Sequence, residues 1–160
     1  GEFGYMLMDV HYENGRIECK TWSELAATSA LIRMTAEEKG IPKSELNGET
    51  VFALAESGDE AAQKAIDRFY FSLSQGIFNL QYAYDPEKII LGGAISSRPD
   101  FVDEINKRLS VLLSLVPIAK IRPIVATCQF KNDANLLGAL YHYLERNQEA
   151  REASDSSAPH

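Results

Sequence analysis

The stretch Lys88-Ile89-Ile90-Leu91-Gly92-Gly93-Ala94 is the place in this chain where residue types and spacing suit a ligand. A short apolar run rich in β-branched residues is opened by Asp85-Pro86 and stopped by paired glycines, which reads as a buried strand running into a tight turn. Glycine has no Cβ and takes positive φ, so backbone at such a turn can approach a ligand closely. Beyond it, Ser97-x-x-Asp100 with Pro99 announces a helix whose N-terminus offers unpaired N–H groups. A Gly-Gly after a strand is as often plain turn geometry as a nucleotide site, so its meaning has to come from the rest of the chain. Thr21-x-x-Glu24 has the form of a capping box, and on the residues alone the Glu24 carboxylate is better read as a helix cap than as a functional acid. Other constellations are missing. His11, His142 and His160 form no metal pattern, no G-x-S-x-G or Walker loop occurs, and Cys19 and Cys128 are too far apart for a C-x-x-C zinc or redox motif.

The elements that must position that turn follow from periodicity. Tyr5 to Val10 and Ile17 to Cys19 read as strands on either side of Glu13-Asn14-Gly15, giving a hairpin. One helix is expected from Thr21 to Gly40, with Leu25, Thr28, Leu31, Ile32 and Ala36 inward, then a short one over Val51 to Glu56. A long helix over 59–84 carries Ala62, Ala65, Ile66, Phe69, Tyr70, Leu73, Ile77, Leu80 and Tyr84, a stripe broad enough to lie against a sheet. A further helix (Phe101 to Leu113) ends at Pro117, a last strand covers Ile121 to Cys128, and Asn132-Asp133 caps a final helix. That helix should bury Leu136, Leu137, Leu140, Tyr141 and Leu144. Ser154-Asp155-Ser156-Ser157 reads as a loose tail. Strands separated by long helices predict an α/β layered domain with a mixed sheet whose hairpin comes first.

Composition sets limits on partners. With 160 residues, 45% of them hydrophobic, the chain is long enough for one core and short for two. A net charge of −7 with scattered Lys and Arg offers no basic stripe, which argues against direct nucleic-acid binding. No run approaches the roughly 18 apolar residues of a membrane helix, and no signal pattern opens the chain. A reduced, cytoplasmic protein is expected, and the start without Met suggests a fragment of a longer one.

Three segments together resemble the C-terminal part of the ROK family, the bacterial sugar kinases and sugar-responsive repressors: Gly1-Glu2-Phe3-Gly4-Tyr5, the helix entry Trp22 to Leu31, and Pro86 to Ser96. The family's pattern is Glu-x-Gly-His, a zinc-binding cysteine cluster, Cys-x-Glu at a helix start, and later a strand ending in Gly-Gly. Glu2-Phe3-Gly4-Tyr5 matches the first part except at its last place, and Trp22-Ser23-Glu24 matches the third except at its first. Asn132 to Leu140 resembles the family's terminal helix through Gly138-Ala139. The resemblance covers residues 1–146 and leaves 147–160 as a polar tail.

What it implies is an actin-like, ribonuclease-H-like domain with a mixed sheet flanked by helices. By position Glu2 and Glu24 would hydrogen-bond sugar hydroxyls, which displaces the reading of Glu24 as a cap alone. Gly92, Gly93 and Ala94 would border the nucleotide, ATP with Mg in the parent protein. Tyr5 stands where the family has a histidine that touches sugar and ligates zinc; its hydroxyl would meet sugar or its ring would pack in the core. Trp22 replaces a zinc cysteine, so no zinc is expected. The family's catalytic Asp and phosphate loops lie upstream, so no catalytic residue is assigned and this piece alone should phosphorylate nothing. The expected parent is an ATP-dependent hexose kinase. The alternatives are the effector domain of a ROK-type repressor and an assembly domain, with a homodimer expected and the helix over 59–84 at its contact.

Overall fold

The computed structural model describes residues 2–130 and 133–156, those from 149 onward by their backbone. Its centre is the long helix expected from the apolar stripe, here α4, Glu60–Tyr84. Asp59 caps its start by accepting the Ala62 N–H at 3.0 Å and pairs with Lys39, while Asp85 closes its end in the left-handed region at φ 46°. Ala62, Ala65, Phe69, Tyr70, Leu73 and Ile77 are buried, each large side chain contributing about 1.5–3 kcal/mol. Their partners are mostly helices, with Ile89, Leu91 and Val125 of the expected sheet packed against the same core. α4 lies among α1 (Trp22–Ala26), α2 (Thr28–Lys39), α3 (Gly48–Glu56) and α5 (Phe101–Leu115), through Leu31, Val51, Phe52, Phe101, Ile105 and Leu109.

The expected mixed sheet is divided in two. β1 (Leu7–Glu13) and β2 (Arg16–Thr21) form the antiparallel hairpin, turned by Asn14 and Gly15 at φ 51° and 76°, the positive pair a two-residue turn demands. Its strand starts later than Tyr5 because Phe3–Tyr5 is a 3-10 turn. β3 (Ile89–Leu91) and β4 (Val125–Thr127) form a parallel pair in the register Ile89 to Val125. β4 is shorter than the Ile121–Cys128 stretch that reads as a strand. Pro123 has no N–H for a ladder, and the Ile121 backbone is taken by the Tyr82 hydroxyl, which accepts its N–H at 2.9 Å and donates to its carbonyl at 3.2 Å. The fold class stands as α/β.

Two helix expectations change. The single helix from Thr21 breaks at Ala27, which takes an extended conformation at φ −90°, ψ 157°. Arg33 stabilises the break by donating to the Glu24 carbonyl at 2.8 Å, one of the carbonyls left unpaired at the end of α1. The final helix, α6, spans Ala134–Ser156 and so continues through the polar stretch read as a tail. Its stripe is not buried: Leu136 is 73% exposed, with Leu137, Leu140, Tyr141 and Leu144 also open, since no other described element packs along it. The expected cap Asn132 lies outside the described residues.

The small helix α1 is fixed to α4 by the chain's single tryptophan. The Trp22 indole lies on the bare backbone of Gly76, where a Cβ would overlap the ring, and its Nε1 donates to the Ser72 carbonyl at 3.0 Å. Gly76→Ala should therefore destabilise the chain by about 1–3 kcal/mol. Denaturant unfolding followed by Trp22 emission checks this: a lower midpoint and a shift to longer wavelength are expected, and an unchanged midpoint and spectrum would contradict the packing.

Candidate functional site

One half of the site is built where the N-terminal turn meets α1. Tyr5 N–H donates to the Glu2 carbonyl at 3.3 Å and Met6 N–H to that of Phe3 at 3.0 Å, closing the turn. Trp22 N–H then donates to the Met6 carbonyl at 2.8 Å, which sets the turn against the start of α1. Gly4 lies close against Ser23, where a Cβ would make the Ser23 hydroxyl turn aside. The structure thus brings the Glu2–Tyr5 and Trp22–Glu24 segments together, the two segments to which the resemblance gave a common role. Tyr5 is 75% exposed and takes no part in the core of this chain.

Glu24 is held by the capping box in reciprocal fashion. Its Oε2 accepts from the Thr21 N–H and from the Thr21 hydroxyl, both at 2.8 Å, and its own N–H donates to Thr21 Oγ1 at 3.4 Å. The backbone bond from Thr21, followed by the hydroxyl bond, pulls the carboxyl below the ordinary glutamate range. Both oxygens can accept further bonds from an exposed position, and an ionised carboxylate at a helix start is a strong acceptor for hydroxyl groups.

The other half lies at the end of β3. Gly93 sits at φ 92°, ψ 167°, which only glycine adopts freely, and lets the chain swing from the strand into the Ala94–Ser97 turn. Ser96 locks it by donating its buried hydroxyl to the Gly93 carbonyl at 2.7 Å, and Cys128 N–H continues the pairing onto the Leu91 carbonyl at 2.8 Å. Asp100, expected to cap α5 with Ser97, makes no side-chain cap and turns to Arg98 instead. Beside the turn is a cleft of about 650 Å³. Ala94, Ile95, Ser97, Arg98 and Pro99 form one wall; Thr28 and the start of α3, with Asn47, Glu49 and Phe52, form the other.

Of the three turn residues, Ala94 lines this cleft, and Gly92 and Gly93 are not among its lining residues. The opposite wall was not singled out by sequence reasoning. Thr28 reads as a helix interior until the break at Ala27 is known, and Asn47 to Thr50, at the start of the short helix, close a cap with reciprocal bonds of 2.8 Å. Glu24 and Thr28 are four residues apart, so their Cα atoms are within about 14 Å and one short segment serves both halves. Among the described residues no three of His, Cys, Asp or Glu stand together as a metal site, and no helix is long and apolar enough to cross a membrane.

The Glu24 geometry has a pH signature. A depressed carboxyl contributes stability that is present above its unfolded value and is lost as pH falls through the folded value. NMR titration should find Glu24 below ordinary glutamates, and Thr21→Val should return it part of the way, since the backbone bond survives. An ordinary Glu24 midpoint in the wild-type chain would contradict the box.

Comparison with known proteins places these features. The family model described as the ROK family matches residues 1–146. The chain is similar to beta-glucoside kinases of Listeria monocytogenes, 35% identical over 91% of this chain and 47% of the relative, and of Klebsiella pneumoniae, 31% identical over 89% and 46%. It is also similar to the crystal structure of a ROK family protein from Streptococcus pneumoniae in complex with sucrose, at TM-score 0.82 and 34% identity over 93% of this chain and 50% of that one. It spans about half the length of the curated relatives it matches. The fold is the actin-like, ribonuclease-H-like α/β fold of these sugar kinases. With a family match over residues 1–146, this chain belongs to the ROK family.

Proposed function

We propose that this chain is the C-terminal half of a ROK-type sugar kinase that transfers the terminal phosphoryl group of ATP to a hydroxyl of a hexose or β-glucoside. The observation that carries the reading is the Glu24 carboxylate, held ionised at a helix start and set beside the Glu2-x-Gly4-Tyr5 turn. In this reading Glu24 and Glu2 accept hydrogen bonds from sugar hydroxyls, and the exposed Tyr5 hydroxyl adds a donor or acceptor. The Gly92-Gly93-Ala94 turn borders the nucleotide. Phosphoryl transfer depends on positioning and charge stabilisation, and these residues supply positioning. The base for the attacking hydroxyl and the ligands for Mg belong to the part of the protein outside this chain.

Residues 1–146 make up the domain in this reading, with 147–160 beyond it. Zinc has no role, because Tyr5 and Trp22 occupy ligand positions and the Trp22 indole is committed to Gly76 and Ser72. The parent is a cytoplasmic homodimer with no direct contact to nucleic acid. The relatives at 31–35% identity are named as kinases, which weighs for a kinase over a sugar-sensing regulator or an assembly domain.

The test is ATP-dependent phosphorylation of a hexose and β-glucoside panel by the full-length protein and its Glu24→Gln form. Gln still caps at this position, so folding should be kept. Loss of a charge-assisted bond of about 1.5–3 kcal/mol predicts a rise in sugar KM of about ten-fold or more, with the KM for ATP unchanged. Equal sugar KM in both forms, or no phosphorylation by the wild type, would overturn the proposal.

A further inference from the structure

A carboxylate is only as well placed as the helix that carries it, and the helix under Glu24 has little to hold itself with. α1 has five residues and stops at Ala27, whose N–H donates to the Ser23 carbonyl at 3.3 Å. Had the helix run on, the Glu24 carbonyl would have accepted the Thr28 N–H. The break leaves that carbonyl open, and the Arg33 guanidinium takes it, one terminal nitrogen donating to the oxygen at 2.8 Å. The other terminal nitrogen donates to Glu37 Oε2 at 3.1 Å, one turn further along α2.

Arg33 itself stands on a fixed base. Ala30, Leu31, Thr35 and Ala36 of α2 are buried, and the half-buried guanidinium has its fork directed by Glu37 on one side and the Glu24 carbonyl on the other. On its core side α1 is held by the Trp22 indole on Gly76, by buried Leu25 and by Arg33. Of these, Arg33 alone grips the backbone of the acidic residue. The capping box fixes the carboxylate relative to Thr21, but it does not fix α1 relative to the core. Without Arg33 the C-terminal end of α1 is free to pivot about Trp22 and to carry the carboxylate with it. The Thr21 backbone and hydroxyl bonds do most to hold the Glu24 carboxyl low, and the Arg33 charge adds to them.

We infer that Arg33 is a positioning residue for the sugar site: from α2 it bonds the Glu24 carbonyl and so fixes where the Glu24 carboxylate meets a sugar hydroxyl. The inference rests on the reading of Glu24 as a sugar ligand, and it adds a residue that acts through Glu24 rather than on the sugar. Misplacing a binding or reacting group by about 1 Å can cost up to about a hundred-fold, so a small pivot of α1 is enough to be measured.

The experiment is a double-mutant cycle in the full-length protein: wild type, Arg33→Met, Glu24→Gln and the two together. Sugar KM, ATP KM and unfolding midpoint are measured for each, with the best substrate of the hexose and β-glucoside panel. Arg33→Met keeps the aliphatic stem and loses the fork. Arg33→Lys, taken through the same cycle, keeps the charge but has one ammonium for two partners, so the outcome does not hang on the folding of one variant. Arg33→Met should raise sugar KM by about five-fold in the wild-type background and by nothing further beside Glu24→Gln, because residues that act as one unit are not additive. ATP KM should stay unchanged, and Arg33→Lys should show most of the same rise. A purely structural role would raise both KM values together with a lower midpoint, equally in both backgrounds, and would overturn the inference. Full rescue by lysine would overturn it too, since charge alone would then suffice. If Glu24→Gln raises sugar KM and neither Arg33 variant does, this inference alone fails; if Glu24→Gln leaves sugar KM unchanged, the reading of Glu24 as a sugar ligand fails with it.

Discussion

The packing of one indole against one glycine is the contact on which the site depends. α1 has five residues, too few to hold a helix by its own hydrogen bonds, yet it carries Glu24 and receives the N-terminal turn. Trp22 ties it to α4, the helix with the most buried residues among those described, through van der Waals contact at Gly76 and the bond to the Ser72 carbonyl. A chain of backbone contacts then reaches outward: Met6 on Trp22, Gly4 on Ser23, and the hairpin of β1 and β2 beyond. A rigid core is thereby converted into a defined place for two exposed carboxylates.

Helix caps do double work around the site. At Thr21 and Glu24 the box that satisfies backbone N–H groups also holds the carboxylate ionised. At Asn47 and Thr50 a second box fixes the start of α3, which forms the far wall of the cleft. A break at Ala27, supported by Arg33, puts Thr28 at the start of α2 and so into that cleft.

Much of this could be read from the residues, and the failures have physical causes. The hairpin turn, the Thr21–Glu24 capping box, the long amphipathic helix and the Gly-Gly turn are local signals, and each formed near its expected place. The helix break at Ala27 carries no glycine or proline; it is held by Arg33, nine residues away from the carbonyl it binds, and by the Trp22 anchor, both invisible to a periodicity argument. The burial of α6 failed because an apolar stripe states only that a partner is needed, and no described element supplies one. The wall formed by Phe52 and Arg98 joins residues far apart in sequence, so only the fold could bring it into view.

The central claim is that Glu24 faces sugar while the cleft beside Gly93 faces nucleotide. A crystal structure of the full-length protein with a bound β-glucoside and a non-hydrolysable ATP analogue tests it most directly. The account predicts sugar hydroxyls within hydrogen-bond distance of the Glu24 carboxylate and the nucleotide against the Gly92–Ala94 turn beside that cleft. A sugar bound away from Glu24, or a nucleotide bound away from that cleft, would contradict it.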